Sequence, residues 1–358
     1  MLKINLFTPP KFTRQPLNIR YLNGITGKQW QYASSGRSAI YLILKDLNVK
    51  QILIPAYLCS TVLEPLRRLN ITPFFYDLDE QDLNPSLESI ECLTSKHNIK
   101  TILVASMYGT PASLMEIEEY CNKNGIFMID DAAQGFGAKL GGRYVGGFGD
   151  AGFFSFSPGK PTAGHMGGFF WSKEFVEVER SNHCLTHYFR WLDFYFNRYK
   201  AYDSRYGFFK VLINLFSRVL LKFTNIYSDN MCKFEDSVLG GILANNRNDS
   251  HFFRNRYHEE FVKAFEGSNQ FRVVQSLRGV ASYHKIVLLF IDKKKAKVFI
   301  DYMLKSNIAV LGGYQLLVDD LGDLPNVKRI NHRVVELPIE DNKEKMTYLF
   351  NKVKEFNG

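Results

Sequence analysis

Residues 125–138, GIFMIDDAAQGFGA, run from a glycine through four apolar residues, Ile126–Ile129, into two adjacent acids, Asp130 and Asp131. So short an apolar run, flanked by glycines, predicts a strand buried on both faces with the acids at its carboxyl end. The same pattern recurs at Gln51–Pro55, Pro73–Tyr76, Thr101–Ser106, Gly152–Phe156 and Gly168–Trp171. Amphipathic stretches lie between these strands, at Ser38–Leu47, Thr61–Leu69 and Ala112–Asn124. Strands without polar alternation that take turns with helices predict a mostly parallel sheet covered on both faces, a three-layer α/β/α domain. From about Ser250 the pattern becomes mixed α and β and ends in a helix near Asn342–Phe356. The expected division is a large domain over residues 1–240 and a smaller C-terminal α+β domain over 241–358.

The 358 residues and 46% apolar content suffice for a sizeable core. A net charge of +9 suits nucleic acid, anionic lipid or a phosphate-rich substrate equally. With no zinc-finger spacing and no basic-plus-aromatic RNA motif, nucleic acid is not expected as a partner. The cysteines, Cys59, Cys92, Cys121, Cys184 and Cys232, are odd in number and scattered, which argues for a reducing compartment and against a disulfide framework or zinc site. No apolar run approaches the roughly 20 residues needed to span a bilayer, so a cytoplasmic location is expected. Residues 186–226 stand apart, with thirteen aromatics and seven Lys/Arg against two Asp. They read as helical, with Phe208–Phe223 strongly amphipathic; such a segment suits helix packing at a dimer surface or peripheral contact with an anionic membrane.

Three features could carry chemistry. Asp130 and Asp131 close a strand of a parallel sheet, where ligands bind, and a carboxylate there can pair with a protonated pyridine nitrogen. In DAGFFSFSPGKPTAGHMGG, residues 150–168, a strand enters a Ser-Pro-Gly turn followed at once by Lys160. That amine can form an imine with an aldehyde cofactor if burial or a neighbouring cation lowers its pKa, and the Ser155 hydroxyl can hold a phosphate. In ASSGRSAIYLIL, residues 33–44, small residues before a helix leave N–H groups of Gly36, Arg37 and Ser38 facing an anion. Each has an ordinary alternative: an acid pair after a strand, an exposed turn lysine, a serine cap. Gly147, Gly149 and Gly152 fit G-x-G-x-x-G, but they precede an apparent strand instead of opening a helix, so a dinucleotide site is not expected.

In order and spacing these features resemble the sugar aminotransferases of the DegT/StrS type, a branch of the fold-type-I pyridoxal 5′-phosphate (PLP) enzymes. The likeness extends to residues 52–79, 104–138 and 141–160, and more thinly to HRVVELPIE at 332–340. The resemblance implies a fold-type-I PLP-transferase architecture and a homodimer. It implies transfer of an amino group from a donor amino acid, with glutamate the expected donor, to a nucleotide-linked keto-sugar in amino-sugar or surface-polysaccharide biosynthesis. Lys160 would carry the cofactor and move the protons, Asp131 would pair with the pyridine nitrogen, and Gln134 would hold the phenolic oxygen. Ser155 would bind the phosphate with Gly36, Arg37 and Ser38.

The chain also departs from the pattern. Arg37 stands where the family usually has Thr, and Pro161 stands where Asn commonly follows the lysine. Met166, beside His165, replaces an acid. The family often places a ring-stacking aromatic near Cys59, for which Tyr57 or Tyr108 is the substitute. Asn230 is the candidate for an asparagine that a second subunit contributes to the phosphate site. Relatives that dehydrate sugars replace the lysine by His, so Lys160 favours transamination; a non-catalytic member of the same fold is the other alternative.

Overall fold

A computed structural model describes residues 4, 19–157, 160, 167–174, 176, 211–212 and 250–357. A seven-stranded sheet forms the centre of the N-terminal part. Its strands are β1 (Gln31–Ala33), β2 (Gln51–Pro55), β3 (Thr72–Tyr76), β4 (Thr101–Ala105), β5 (Phe127–Asp131), β8 (Ala151–Ser155) and β9 (Gly168–Ser172); the short hairpin β6 (Lys139–Leu140) and β7 (Arg143–Tyr144) lies apart. The order is β1-β9-β8-β5-β4-β2-β3, and β8, β5, β4, β2 and β3 are parallel. β9 runs antiparallel to both β8 and β1, so the sheet is mostly parallel, as expected, with one reversed strand. The strands lie within a residue or two of the sequence-based bounds.

Alternation along the strands divides the core in two. Ile52, Ile54, Leu103, Ala105, Ile129 and Phe153 join one apolar cluster, which α2 (Gly36–Lys45) and α3 (Leu63–Arg68) cover. Leu53, Ile102, Val104, Met128 and Phe154 join the other, under α1 (Ile19–Thr26), α4 (Leu87–His97) and α5 (Leu114–Asn124). These are the three layers. The helices stop where their residues dictate: Asn98 and Gly125 take left-handed conformations at the ends of α4 and α5.

A second, antiparallel sheet contains β10 (Phe271–Val273), β11 (Lys285–Phe290), β13 (Val334–Pro338) and β12 (Leu311–Gly312), in that order. One face, with Ile286, Leu288, Phe290, Val335 and Leu337, packs on the helices Ser250–Phe265, Lys293–Lys305 and Lys343–Asn357, and Ile4 lies in that same cluster. Val287, Leu289 and Val334 on the opposite face join the cluster that Ile129 and Phe153 occupy. The two sheets therefore share a core on one face of the large one. The boundary expected near residue 240 lies outside the described residues, as does the 186–226 segment except for Val211 and Leu212, which are helical. Among the described residues no helix is long and apolar enough to cross a membrane.

One tight point of this shared packing is the turn after β4. Gly109 has φ +84°, and a Cβ there would lie 2.1 Å from the carbonyl oxygen of Ser282, whose N–H in turn donates to the Gly109 carbonyl at 2.8 Å. Gly109→Ala is expected to lower stability by about 2 kcal/mol or more, read as a lower urea midpoint.

Candidate active site

The β5–β8 register places the chemistry. Asp131 aligns with Phe153 and Asp130 with Gly152. Asp131 shares a strand face with Ile129, and Ser155 shares one with Phe153, so both lie on the α2 side of the sheet. Asp130 points to the opposite side. Composition alone left the two acids equivalent, and the spacing to Gln134 in the family pattern pointed to Asp131; alternation in a sheet with covered faces puts the two acids on opposite sides.

Asp130 is fully buried and works as an anchor. Its Oδ2 accepts the N–H groups of Gly146 at 2.6 Å and Phe148 at 3.1 Å, which shapes the glycine-rich turn before β8. The Trp171 indole N–H bonds the carbonyl of the same Gly146 at 2.6 Å. Asp130 Oδ1 has no hydrogen-bond partner among the described residues. Burial pushes this carboxyl up to about 8, against the pull of the two N–H donors. The glycines of the apparent dinucleotide motif thus serve this turn.

Asp131 is also buried, with Oδ1 accepting the Ala133 N–H at 2.9 Å. Burial raises its pKa to about 6, opposed by that N–H and by the ammonium of Lys160. For Lys160, burial favours the neutral amine, Asp131 and then Cys59 oppose it, the Lys285 cation adds to the lowering, and Glu336 opposes it. The predicted lysine and the predicted acid thus act on each other electrostatically, and the half-buried Cys59 thiol acts on the lysine.

Ser155 and the start of α2 meet directly. A Cβ on Gly36 would stand 3.1 Å from Ser155 Cβ and 3.3 Å from its Oγ, so bare backbone faces the hydroxyl. The first N–H groups of a helix have no carbonyl one turn earlier to bind, which suits an anion. The Ser38 N–H is taken by the cap, donating to Ser35 Oγ at 3.1 Å, and its hydroxyl lies 2.6 Å from that of Ser34. The guanidinium of Arg37 pairs with Glu64. Of the three residues expected at the phosphate, Gly36 and Arg37 offer backbone, while the side chains of Arg37 and Ser38 are engaged elsewhere.

Gln134 is buried, and its Oε1 accepts the Tyr108 N–H at 3.1 Å. Tyr57 and Tyr108, the expected ring-stacking substitutes, are buried with their hydroxyls 2.8 Å apart. Burial, aided by the nearby Glu336 carboxylate, raises both phenols well above the usual range. Asn230, Pro161, His165 and Met166 lie outside the described residues.

Sequence reasoning missed the contribution of the second sheet. His284, Lys285 and Glu336 are buried, Lys285 and Glu336 form an ion pair, and His284 lies over the Tyr108 ring at 6.2 Å. The signal was present: a lone charge in an otherwise apolar strand, as in VVELP or KIVLLF, has to be paired.

Comparison with known proteins agrees with this geometry. Residues 28–189 match the model of the DegT/DnrJ/EryC1/StrS aminotransferase family, the stretch that holds Gly36, Asp131, Gln134, Ser155 and Lys160. The chain is 30% identical over 175 residues to the UDP-N-acetyl-3-dehydro-alpha-D-glucosamine 3-aminotransferase of Acidithiobacillus ferrooxidans, covering 48% of this chain and 47% of that one. It is 32% identical over 145 residues to the GDP-perosamine synthase of Escherichia coli O157:H7, covering 38% and 39%. The matches thus span less than half the length of these curated relatives. Solved structures resemble the whole chain: aminotransferase TlmJ of Streptoalloteichus hindustanus has a TM-score of 0.75 at 15% identity, covering 99% of this chain and 98% of that one. Helicobacter pylori PseC, an aminotransferase of pseudoaminic acid biosynthesis, has 0.73 at 15%, covering 99% of each. That likeness shows the fold alone.

The raised pKa of Asp130 has a sign that can be worked out. The unfolded acid ionises near 4 and the folded one near 8, so folding binds a proton between those values and stability falls as pH rises through that window. Each such group contributes a slope of about 1.4 kcal/mol per pH unit. Asp130→Asn is expected to flatten the decline between about pH 4 and 8, measured as urea-unfolding free energy against pH.

Proposed function

We propose that this protein is a PLP-dependent aminotransferase that moves an amino group from an amino-acid donor, glutamate in this reading, onto a nucleotide-linked keto-sugar. The product would enter amino-sugar or surface-polysaccharide biosynthesis. One observation carries the reading: the Asp131 carboxylate lies on the face of the sheet where Gly36 backbone meets the Ser155 hydroxyl, and the Lys160 ammonium acts on that carboxylate. The substrate class is supported by the printed activities of the two curated relatives, both named for nucleotide-sugar chemistry.

The donor set fits the cofactor. A buried acceptor-only carboxylate suits a protonated ring nitrogen, a helix start beside a serine suits a phosphate, and a half-buried amine with a lowered pKa suits an aldehyde. Bound there, PLP supplies an electron sink for charge developing on the carbon next to the transferred nitrogen. Asp131 would hold the ring nitrogen in its protonated form. Gln134, with Oε1 taken by the Tyr108 N–H and one Nε2 hydrogen on Met107 Sδ at 3.7 Å, would offer its second Nε2 hydrogen to the phenolic oxygen. Burial favours the neutral form of the Lys160 amine, which in that form would take and return the proton that moves between the two carbons flanking the nitrogen.

The same reading makes the protein a cytoplasmic homodimer in which Asn230 of a second copy completes the phosphate site. Its supports are the free Cys59, Cys92 and Cys121 among the described residues and the resemblance of the chain to its family. Contact of 186–226 with a membrane surface remains a proposal from composition.

Two measurements test the reading. The parent protein mixed with PLP is expected to gain a visible absorbance band that Lys160→Ala lacks; a variant as yellow as the parent sinks the assignment of Lys160. Asp131→Asn is expected to lower turnover with an amino donor at least 10²-fold while the protein stays folded, because a neutral amide no longer holds the ring nitrogen protonated. Single-turnover absorbance changes read that loss.

A further inference from the structure

The small sheet does more than cover the site. Lys285 opens β11 and Glu336 sits in β13; the register aligns Val287 with Glu336 and Lys285 with Pro338. Lys285 and Glu336 are therefore diagonal neighbours on one face of the sheet, the face that carries Val287 and Val334 into the shared core. Both side chains are almost fully buried and form an ion pair. One oxygen of Glu336 serves Lys285. The other accepts the Tyr108 hydroxyl at 3.1 Å.

That second bond fixes the direction of a longer chain. Since Tyr108 donates to Glu336, the Tyr57 hydroxyl, 2.8 Å away, donates to the Tyr108 oxygen. The Tyr57 oxygen accepts in turn the backbone N–H of Tyr314 at 3.1 Å. Gly313 permits this approach, because a Cβ there would lie 2.0 Å from the Tyr57 hydroxyl. Hydroxyls following β2 and β4 are thus tied to β13 and to the loop after β12.

Tyr108 itself is unusual. Its φ of 55° and ψ of 17° lie in the left-handed region, which a bulky side chain seldom adopts. Such a residue persists only when its surroundings over-determine it. Here the constraints are the hydroxyl on Glu336, the contact of His284 with its ring and backbone, and its N–H on Gln134 Oε1.

We propose that Glu336, held by Lys285, is a positioning residue: through the Tyr108 hydroxyl it pins the left-handed turn whose backbone N–H orients the Gln134 amide toward the cofactor. The role toward the cofactor rests on the function proposed above; the pinning of the turn does not. Nothing in the family match over residues 28–189 supplies this contact, because both charged residues lie beyond it.

Removing Glu336 alone strands a buried ammonium and confounds the measurement with misfolding. Two double variants avoid this. Lys285→Met/Glu336→Gln removes both charges but keeps an oxygen to accept the Tyr108 hydroxyl, whereas Lys285→Met/Glu336→Leu removes the acceptor as well. In the cofactor-free proteins, amide hydrogen exchange across residues 105–110 is expected to be about tenfold faster in the Leu variant than in the Gln variant, as loss of one buried hydrogen bond implies. In PLP titrations the Leu variant is expected to bind about tenfold more weakly, with the pH midpoint of its visible band shifted upward. Tyr108→Phe is expected to match it and to add nothing when combined with it. Equal exchange in the two double variants overturns the proposal. Faster exchange with identical PLP affinity and pH midpoint overturns the role toward the cofactor. A parent protein that takes up no PLP sinks the proposed function, while the exchange difference still decides the pinning.

Discussion

The structure depends on how the β5 strand ends. Two carboxylates that cannot be solvated there follow one another in a chain whose side chains alternate. One must therefore enter each apolar layer, and each needs partners. Asp130 finds them in two backbone N–H groups of a glycine-rich turn, and its burial ties that turn to the sheet. Asp131 finds a backbone N–H and a cation, and its burial makes it responsive to whatever occupies the space beside Lys160. The same burial that destabilises both charges gives one a structural use and the other a chemical one.

The parallel pairing of β8 with β5 carries this division outward. It brings Ser155 to the side where Asp131 lies and leaves Phe154 on the side of Asp130. With α2 packed on that first side, Gly36 meets the serine hydroxyl with bare backbone. An acid, a hydroxyl and a helix start then share one face, contributed by three separate segments, and the Lys160 ammonium acts on the acid. The opposite ends of the ligand implied by these groups are an anion and a ring that accepts a proton, which is why geometry and family likeness lead to the same reading.

The second sheet adds charge where the first is apolar. One of its faces closes its own core, and the other brings Val287, Val334, Lys285 and Glu336 against the large domain. A buried ion pair gains little stability by itself, since desolvation offsets most of the attraction. Its consequence here is directional: the carboxylate orders a row of hydroxyls, and the row holds a backbone turn in a conformation it would otherwise leave. Position at this site is thus maintained across two sheets.

The fold was largely legible in the residues themselves. Runs such as QILIP and TILVA, alternating with amphipathic stretches, are short and apolar enough to demand a sheet covered on both faces, and the acids and the turn lysine at strand ends mark where a ligand sits. The spacing to Gln134 in the family pattern singled out Asp131, but which face of β5 turns toward α2, and so why Asp130 serves as an anchor, was not legible. Nor was the engagement of Arg37 with Glu64, or the arrival of Lys285 and Glu336 beside Tyr108. Those follow from register and from the docking of one sheet on another, and contacts between residues some two hundred positions apart leave only a faint local trace: a charge in a strand that should have none. Local pattern determines which elements form, because burial periodicity is a property of neighbours; partners across the core are decided only when the elements pack.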